Sequence, residues 1–362
     1  MESIQVRAAR RFIDSADIAV SPLGAGHIND SFLVAADNKQ FVLQRINHGI
    51  FKDVDKLQSN ILRVTNHIRS RLEKNGETEI DRKVLDFLPC DDGNHYCFDD
   101  DGNYWRMMRY ITDCFGYDRI TPELARKAGE AFGRFQSMLS DLPGEPLFET
   151  IPNFHNMETR LADFRQTVKN NPAGRCDEVK NLTYEIEKRS DEMCKAERMH
   201  REGILPKRIN HCDTKVNNVL FDKCGNVLCV VDLDTVMPGY VLSDFGDFIR
   251  TGANNGQEDD TDLSRVSLNL DIYEAYAEGY LSAAGFLTET ETNNLAFGAK
   301  LLTYMQTVRF LGDYLNGDTY YKIKHPLHNL ERSEAQFALL LDMEFKFDRM
   351  NDIIKRKRYE NR

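Results

Sequence analysis

The sequence predicts an α+β protein, in which a small antiparallel sheet with one helix precedes a larger and mainly helical part. Short segments rich in β-branched, aromatic and aliphatic residues fill the first third of the chain. Turn signals separate several of them, as "DDDGN" (99–103) does. Further along, helical apolar spacing dominates and one short hairpin interrupts it. These observations together predict the fold class.

The first part contains most of the predicted strands, which span residues 17–23, 31–36, 40–47, 83–88, 95–98 and 104–111. One helix, predicted over 55–76, interrupts them. Its apolar residues recur at helical spacing and Gly76 ends it. This helix has no Glu in the register where protein kinases pair one with a lysine, so that activation switch is not expected here.

The second part begins with a helix predicted over 121–142. Thr121 is the expected N-cap, and a proline follows at the first helical position. Further helices are predicted over 156–169, 176–201, 244–252, 268–285, 289–316 and 332–356. A single hairpin over 217–234, with its turn near Gly225, lies among them.

Composition narrows the function. The chain has 362 residues, more than one average domain, and 41% hydrophobic residues, enough to bury a core. A formal charge of −11 argues against a nucleic-acid surface. The eight cysteines show no metal-like pairing, and no apolar stretch is long enough for a membrane helix or a signal peptide. We therefore expect a cytoplasmic protein without nucleic-acid or membrane partners, either a monomer or a weak dimer.

A candidate catalytic loop lies just before the hairpin, in "RINHCDTKVNNVLFD" (208–222). His211, Asp213 and Asn218 have the spacing H-x-D-x-x-x-x-N, which protein kinases use for a catalytic Asp and a metal-binding Asn. The Asp can accept the proton of an attacking hydroxyl, and the Asn ligates Mg²⁺ without adding charge. The alternative is that these are ordinary turn residues.

The hairpin supplies the next candidates. Its second strand ends in "VVDLD", which places Asp232 nineteen residues after Asp213. Mg²⁺ favours one or two carboxylates with phosphate oxygens and water, so Asp232 is the expected metal ligand. Asp234 is either a second ligand or an orienting group. We expect both carboxylates to point the same way, because alternate residues of a strand share a face.

The triplet in "SDFGDF" (243–248) looks like the metal motif of protein kinases, but Asp244 lies too far beyond Asp213 for that role. It reads better as the start of a helix, with Ser243 or Asp244 as the N-cap and Asp247 near the first turn. His211, Asp244 and Asp247 are then expected to support the catalytic loop, through contacts that include Arg250.

These motifs resemble those of the aminoglycoside phosphotransferase and choline kinase superfamily, and most closely the N-acetylhexosamine 1-kinases. The resemblance covers nearly the whole chain and is most specific over 207–250. It rests on "GAGHIND" (24–30), "FVLQRIN" (41–47), "HCDTKVNNVL" (211–220), "DLDTVMPGYVLSDFGDFIR" (232–250), "RFLGDYLNGDTYY" (309–321) and "HNLERSEAQ" (328–336).

The resemblance implies a protein-kinase-like bilobal fold, with a nucleotide-binding lobe over 1–110 and a catalytic and substrate-binding lobe over 111–362. It implies transfer of the γ-phosphoryl group of ATP, with Mg²⁺, to the anomeric hydroxyl of N-acetylglucosamine or N-acetylgalactosamine. Asp213 would be the base for that hydroxyl. Asn218 and Asp232 would bind the magnesium ion.

The resemblance also assigns residues of the first lobe. The loop "PLGAGHINDSF" (22–32) would cover the phosphates with Gly24 and Gly26, although it is not G-x-G-x-x-G, and His27 would contact the sugar. The strand "FVLQRIN" lacks the phosphate-binding lysine of protein kinases. Arg45 appears at the matching position and could clasp phosphate oxygens, with Gln44 as the competing register.

Two further segments carry assignments. In "WRMMRYITD" (105–113) Met108 would lie against adenine, which would bond to the backbone of the next three residues, Arg109, Tyr110 and Ile111. An ordinary core strand predicts the same residues. In "RFLGDYLNGDTYY" the resemblance favours Arg309 and Tyr320 as sugar contacts, whereas the i, i+4 spacing of Arg309 and Asp313 also fits a surface ion pair.

Two other functions remain open from the sequence. One is a kinase of another small alcohol, such as a different hexose, choline or an aminoglycoside. A choline site calls for an aromatic cage and an aminoglycoside site for an acidic rim, and Arg309 suits neither cation. The other is a non-catalytic nucleotide-binding scaffold, which would be expected to lack Asp213, Asn218 or Asp232. All three are present.

Overall fold

The computed structural model describes residues 2–24, 28–117 and 119–360. By contacts the chain divides into two compact units, described separately below. Unit 1 comprises Met1–Phe115, Asp141–Pro152 and Leu220–Met237, and unit 2 comprises Gly116–Ser140, Asn153–Val219 and Pro238–Arg362. Unit 1 thus includes two segments from beyond residue 110. The assignment of nucleotide and substrate binding to separate lobes remains a prediction.

Unit 1 is built on an antiparallel sheet with the strand order β1-β2-β3-β5-β4. Its strands are β1 (Ile18–Pro22), β2 (Asp30–Ala36), β3 (Lys39–Ile46), β4 (Cys97–Phe98) and β5 (Tyr104–Arg109). Two helices belong to this unit, α1 (Ile4–Arg10) and α2 (Val54–Lys74). The hairpin of β7 (Val219–Phe221) and β8 (Val227–Val230) turns at Gly225, whose φ of +72° suits glycine.

One face of this sheet is covered by α1. Ala8, Ala9 and Phe12 form a buried cluster with side chains that alternate along the strands, among them Leu43 and Met107. Successive residues of a strand point to opposite faces, so the neighbours of Leu43 and Met107 lie on the other face. That second face contains Gln44 of β3 and Arg106 of β5, which are paired in register.

Unit 2 is mainly helical. Its helices are α3 (Pro122–Leu139), α4 (Met157–Asn170), α5 (Lys180–Met193), α6 (Lys195–Arg201), α7 (Val241–Gly252), α8 (Leu270–Ala283), α9 (Glu289–Asn293), α10 (Leu295–Leu315), α11 (His328–Phe345) and α12 (Phe347–Glu360). Short strand β6 (Arg208–Asn210) precedes the predicted catalytic loop, and β9 (Met237–Gly239) precedes α7.

Close helix packing forms the core of unit 2. Gly279 of α8 lies against the backbone of α3, and a methyl group at this position would overlap the carbonyl oxygen of Arg126. Gly246 of α7 and Gly298 of α10 approach each other's helices in the same way. None of the helices in the described residues is long and apolar enough to cross a membrane.

Several predicted elements differ from the structure. Residues 83–88 form no regular strand, and only Phe87 makes an isolated bridge, to Met108. The helices predicted over 176–201, 289–316 and 332–356 are each broken into shorter helices, and α1 was not predicted. Thr121 caps α3 as expected, since its hydroxyl accepts the Leu124 N–H at 3.3 Å.

Candidate functional site

His211 and Asp213 of the predicted catalytic loop lie in unit 2, between β6 and a 3-10 turn at Val216–Asn218 that ends with the predicted metal ligand. Asp213 is 25% exposed, and its Oδ1 lies 2.9 Å from Nζ of Lys215. The Asn218 amide nitrogen donates to the Asp213 carbonyl oxygen at 2.8 Å and to its Oδ2 at 3.1 Å. With its nitrogen so engaged, the amide oxygen is the side-chain atom of Asn218 that is chemically able to bind a metal, and its role as a ligand stays a prediction.

The charge state of Asp213 follows from these contacts. Burial alone would raise the pKa of this carboxyl group, but Lys215 opposes it through its charge and hydrogen bond. Smaller contributions from His211 and the Asn218 amide act in the same direction, and the pKa lies below its usual value. The carboxylate is therefore ionised at neutral pH and able to accept a proton.

His211 supports Asp213 from behind. Its side chain is fully buried between the rings of Phe132 and Phe135, with centroids 5.7 and 5.8 Å away. The backbone N–H of Asp213 is directed at Nδ1 of His211, at 3.3 Å. The imidazole thus fixes the backbone of the predicted base.

Asp244 of α7 holds the same loop in place, because its carboxylate accepts hydrogen bonds from the backbone N–H groups of the loop. Its Oδ2 accepts the N–H of His211 at 2.7 Å, and its Oδ1 accepts the N–H of Cys212 at 2.8 Å. The amide nitrogen of Gln136 also donates to Oδ2, at 2.8 Å. Cys212 has a φ of +63°, a strained conformation for a residue other than glycine, and these bonds hold it in place.

The helix-capping role predicted for this segment is wrong. Helix α7 begins at Val241, so Ser243 and Asp244 lie inside its first turn. The Asp244 carboxylate accepts hydrogen bonds from the loop and does not cap its own helix. Burial raises the pKa of Asp244 to about 7, with hydrogen bonds from the loop and Gln136 opposing the shift.

Asp247 belongs to a second buried group of charges. It pairs with Arg250 at 2.9 Å, and Arg250 also pairs with Glu258 at 2.6 Å. The pKa of Lys215 is raised, first by the charge of Asp213 and then, against burial, by Asp247 and Glu258. Lys215 therefore remains protonated next to the predicted base.

Arg309 of α10 lies in an aromatic frame in unit 2. Its guanidinium carbon is 5.1 Å from the ring centroid of Phe154, 5.9 Å from that of Tyr320 and 5.6 Å from that of Tyr321. Aromatic faces attract a cation at such distances. Gln306 accepts a hydrogen bond from Arg309 at 3.0 Å. The predicted sugar contacts Arg309 and Tyr320 are thus neighbours.

A cavity of about 250 Å³ opens beside this frame, between residues of α4 and α10 and the segment 319–321. Arg160 contributes a second guanidinium to its lining and bonds to the Phe154 carbonyl oxygen at 2.9 Å. Burial lowers the pKa of nearby His155 to about 3, and the charges of Arg309 and Arg160 act in the same direction. The imidazole is therefore neutral. The lining of the cavity contains two guanidinium groups, Arg160 and Arg309, and two carboxylates, Asp163 and Asp313.

The spacing of Arg309 and Asp313 does not produce the ion pair that it allowed. Asp313 is only 7% exposed, and its carboxylate accepts the backbone N–H groups of Thr319, Tyr320 and Tyr321 at 2.8–3.0 Å. Asp313 therefore organises the segment that carries the two tyrosines.

In unit 1, the two acids of "DLD" have different environments, and the expectation that they point the same way is wrong. Strand β8 ends at Val230, Asp232 has a φ of +61°, and a 3-10 turn follows at Leu233–Thr235. Asp232 is exposed and Asp234 is buried. The left-handed residue breaks the strand alternation on which the expectation relied.

Asp234 is held by two side chains of unit 1. Arg106 lies 2.6 Å from its Oδ1, and Asn29 donates to its Oδ2 at 2.5 Å. Gln44 in turn accepts two hydrogen bonds from Arg106, at 2.8 and 3.0 Å. A carboxylate so engaged is better suited to orient its neighbour Asp232 than to bind a cation itself.

Arg45 and Gln44 point to opposite faces of the sheet. Gln44 shares its face with Arg106, whereas Arg45 is half-exposed and ion-paired with Asp30. A phosphate bound by Arg45 would therefore compete with Asp30. Gly24 has a φ of +66°, while Gly26 and His27 lie outside the described residues.

The segment predicted to bind adenine follows β5. Met108 is 6% exposed. The Arg109 N–H bonds to the carbonyl oxygen of Asp86 at 2.9 Å, and the Tyr110 N–H to that of Gln40 at 3.1 Å. Of the three predicted residues, Ile111 is thus the best candidate to donate a backbone hydrogen bond to a base.

Comparison with known families decides the class of protein. Residues 19–289 match the model of the phosphotransferase enzyme family, which is about three quarters of the chain. The chain belongs to this family.

Solved structures share the fold of this phosphotransferase. An aminoglycoside phosphotransferase from Alicyclobacillus acidocaldarius is 11% identical with a TM-score of 0.61, and the match covers 96% of this chain and 98% of that one. Choline kinase from Cryptosporidium parvum is 14% identical with a TM-score of 0.57, covering 96% of each chain. A spectinomycin phosphotransferase in complex with ADP and spectinomycin is 12% identical with a TM-score of 0.53, covering 93% and 94%.

The predicted fold class is confirmed: the chain has the α+β, protein-kinase-like fold of aminoglycoside phosphotransferases and choline kinases. By its family it is a phosphotransferase. The sequence interpretation did not include two of the charged residues described above, Lys215 and Arg106. The first could have been noticed two residues after Asp213, and the second as a charge within the otherwise apolar stretch "YWRMM" (104–108).

Proposed function

We propose that this phosphotransferase transfers the γ-phosphoryl group of ATP to the anomeric hydroxyl of an N-acetylhexosamine, giving the sugar 1-phosphate. The observation that carries the proposal is the aromatic frame around the Arg309 guanidinium. Together with neutral His155, it offers hydrogen-bond donors and ring faces to a neutral, hydroxyl-rich acceptor. The sequence resemblance to N-acetylhexosamine 1-kinases supports the same acceptor.

Cationic acceptors fit this group less well. Choline would require an aromatic cage without a competing cation, and here Arg309 already occupies the aromatic frame. An aminoglycoside would require an acidic site, whereas in this cavity the two carboxylates, Asp163 and Asp313, are matched by two guanidinium groups, Arg160 and Arg309. The likeness to choline kinase and to aminoglycoside phosphotransferases therefore supports the fold of this chain and not the identity of its acceptor.

Asp213 is the proposed base. Its ionised carboxylate would accept the proton of the sugar hydroxyl as the phosphoryl group transfers, and direct in-line transfer needs mainly positioning. His211 and Asp244 hold the loop, while Lys215 supplies a positive charge beside the reacting hydroxyl. A positive charge at this position would also stabilise the negative charge that develops in the transition state.

Two of the predicted ligands are each of a chemical type that suits a magnesium ion. Asn218 can present an amide oxygen and Asp232 an exposed carboxylate, which are ligand types that Mg²⁺ prefers. When bound, the ion would neutralise the phosphate oxygens. Asp234, for which the sequence left open a second carboxylate ligand or an orienting group, is proposed to orient Asp232. ATP is supported as the donor by the spectinomycin phosphotransferase that was solved with ADP.

Nucleotide contacts are proposed for unit 1. Ile111 would donate to adenine, Met108 would pack against the ring, and Gly24 and Gly26 would lie over the phosphates. Arg45 is proposed to bind a phosphate group, and to do so it would give up its ion pair with Asp30. His27 is kept as a sugar contact on the resemblance alone.

An acceptor panel tests the substrate. ADP release would be measured with Mg²⁺–ATP and each of N-acetylglucosamine, N-acetylgalactosamine, glucose, choline and an aminoglycoside. We expect the acetylated sugars to give the highest kcat/KM. Their 1-O-methyl forms are the matched controls and should not react, because the anomeric oxygen is blocked. Phosphorylation of a 1-O-methyl sugar as fast as the free sugar would refute anomeric transfer, and a preference for choline would refute the acceptor.

A further inference from the structure

The segment that follows α10 turns back sharply toward it. Gly317 and Asp318 both have positive φ values, +87° and +59°, and Thr319–Tyr321 follow. This conformation brings Tyr320 and Tyr321 next to Arg309, which lies one helical turn before Asp313. Since such a turn is costly for Asp318, something must hold it.

The carboxylate of Asp313 holds three consecutive backbone N–H groups. Its Oδ1 accepts from Thr319 at 3.0 Å and from Tyr320 at 2.8 Å, and its Oδ2 accepts from Tyr321 at 2.9 Å. The Asn329 amide also donates to Oδ2, at 2.9 Å. Four donors converge on this one buried carboxylate, and charge-assisted bonds of this kind are the strong ones.

A second carboxylate makes the turn more rigid. Asp318 accepts from the same Asn329 amide nitrogen at 2.9 Å and pairs with Arg175 at 2.6 Å. Asn329 of α11 therefore bridges Asp313 and Asp318. The backbone of this segment is anchored to both α10 and α11, although Tyr320 itself is 53% exposed.

The tyrosine rings are arranged by this anchoring. Tyr320 and Tyr321 meet edge to face, with centroids 4.8 Å apart and an interplanar angle of 77°. Tyr321 also packs on Phe310 at 4.8 Å. Both tyrosines and Asp313 line the cavity of about 250 Å³ that Arg309 borders.

We propose that Asp313 is a positioning residue that sets acceptor affinity and selectivity by fixing Tyr320 and Tyr321 about Arg309. This inference rests on the proposed function for the identity of the acceptor. The carboxylate acts through the backbone of residues 319–321. Loss of its charge would leave Arg309 in place and let the two rings reorient.

The test compares Asp313→Asn with the wild-type enzyme. The amide is nearly isosteric, but its NH₂ group would face N–H donors in place of one acceptor oxygen. We expect the KM for the acetylated sugar to rise about 10- to 100-fold, as misplaced binding groups commonly cause, while the KM for ATP changes less than about twofold. The preference for acetylated over unacetylated hexose should narrow. Asp348→Asn, at an exposed position of α12, is the matched control.

Hydrogen exchange gives a readout that does not depend on activity. The amides of Thr319, Tyr320 and Tyr321 should exchange faster in Asp313→Asn than in the wild type. If that variant does not fold, Asn329→Ala removes a single donor and should produce the same shifts to a smaller degree. An unchanged sugar KM, or unchanged exchange at these three amides, would overturn the inference. Should the wild-type enzyme phosphorylate no acetylated sugar, the proposed function fails, and the exchange comparison still decides the role of Asp313.

Discussion

Arg106 and Asp234 form an ion pair of 2.6 Å between side chains that are only 2% and 5% exposed. The two residues lie 128 positions apart in the chain, and each has a further partner: Gln44 accepts hydrogen bonds from Arg106, and Asn29 donates one to Asp234. Burying two charges is costly unless their partners are well placed, so this pair fixes the position of "DLD" against the sheet. Asp232, the proposed magnesium ligand, is two residues away.

We expect Arg106→Met to destabilise the protein by about 3–5 kcal/mol, because it leaves the Asp234 carboxylate buried without its cation. The chain offers a matched control on the adjacent strand. Arg45→Met breaks the half-exposed pair with Asp30 and should cost less than about 1 kcal/mol. Urea denaturation of both variants measures the difference. Similar losses for the two would mean that the buried pair does not fix this segment.

Lys215→Met should lower kcat by about 10²–10³, since it removes a positive charge that lies 2.9 Å from the predicted base and would stabilise the transition state. The KM for ATP should change much less. Lys223→Met, at an exposed position in the hairpin turn, provides the control and should be silent. A kcat within twofold of the wild-type value would remove Lys215 from the proposed mechanism. Steady-state kinetics with a saturating acceptor is sufficient.

Asp244 predicts a pH dependence of stability. Its pKa is raised from 3.8 to about 7 in the folded protein, mainly by burial. Between these values the folded state holds a proton that the unfolded state has lost, so the stabilisation is complete below pH 3.8 and disappears as the pH rises to 7. The contribution can reach about 1.4 kcal/mol per pH unit.

Urea denaturation of the wild type and of Asp244→Asn between pH 4.5 and 8 measures this effect. The variant cannot titrate at this position, so the difference in free energy of unfolding should change steadily up to about pH 7 and then level off. Asp352→Asn, at an exposed position of α12, is the control. A difference that is constant over the whole range would show that Asp244 stays ionised in the folded protein.

Local patterns account for what could be predicted. The spacing of Asp213 and Asn218 reflects a single loop, and the structure shows both within hydrogen-bonding distance. The alternation of apolar and polar residues predicted the first strands of the sheet, because one face of these strands lies in the core formed with α1. A resemblance extending over most of the chain then indicated the fold.

What could not be predicted depends on long-range partners. Asp244 was predicted to cap a helix because Asp is favoured at the N-cap position. Its carboxylate instead accepts hydrogen bonds from a loop more than thirty residues earlier in the chain. The i, i+4 rule suggested an ion pair for Asp313, but the backbone turn at Asp318 supplies better donors. The left-handed backbone conformation of Asp232 could not be predicted, because the residues of the preceding strand give no sign of it.

Asp213→Asn is the decisive test of the catalytic loop. The amide keeps the size of the side chain and can still accept a hydrogen bond, but it cannot take a proton, so kcat should fall by several orders of magnitude, about 10²–10⁴ from the lost base alone. ATP binding should persist, measured as a shift in Tm on adding Mg²⁺–ATP. Asp348→Asn, at an exposed position of α12, controls for an added amide. Turnover like that of the wild type would remove Asp213 from the mechanism, whereas loss of the ATP-induced shift would assign the carboxylate to nucleotide binding.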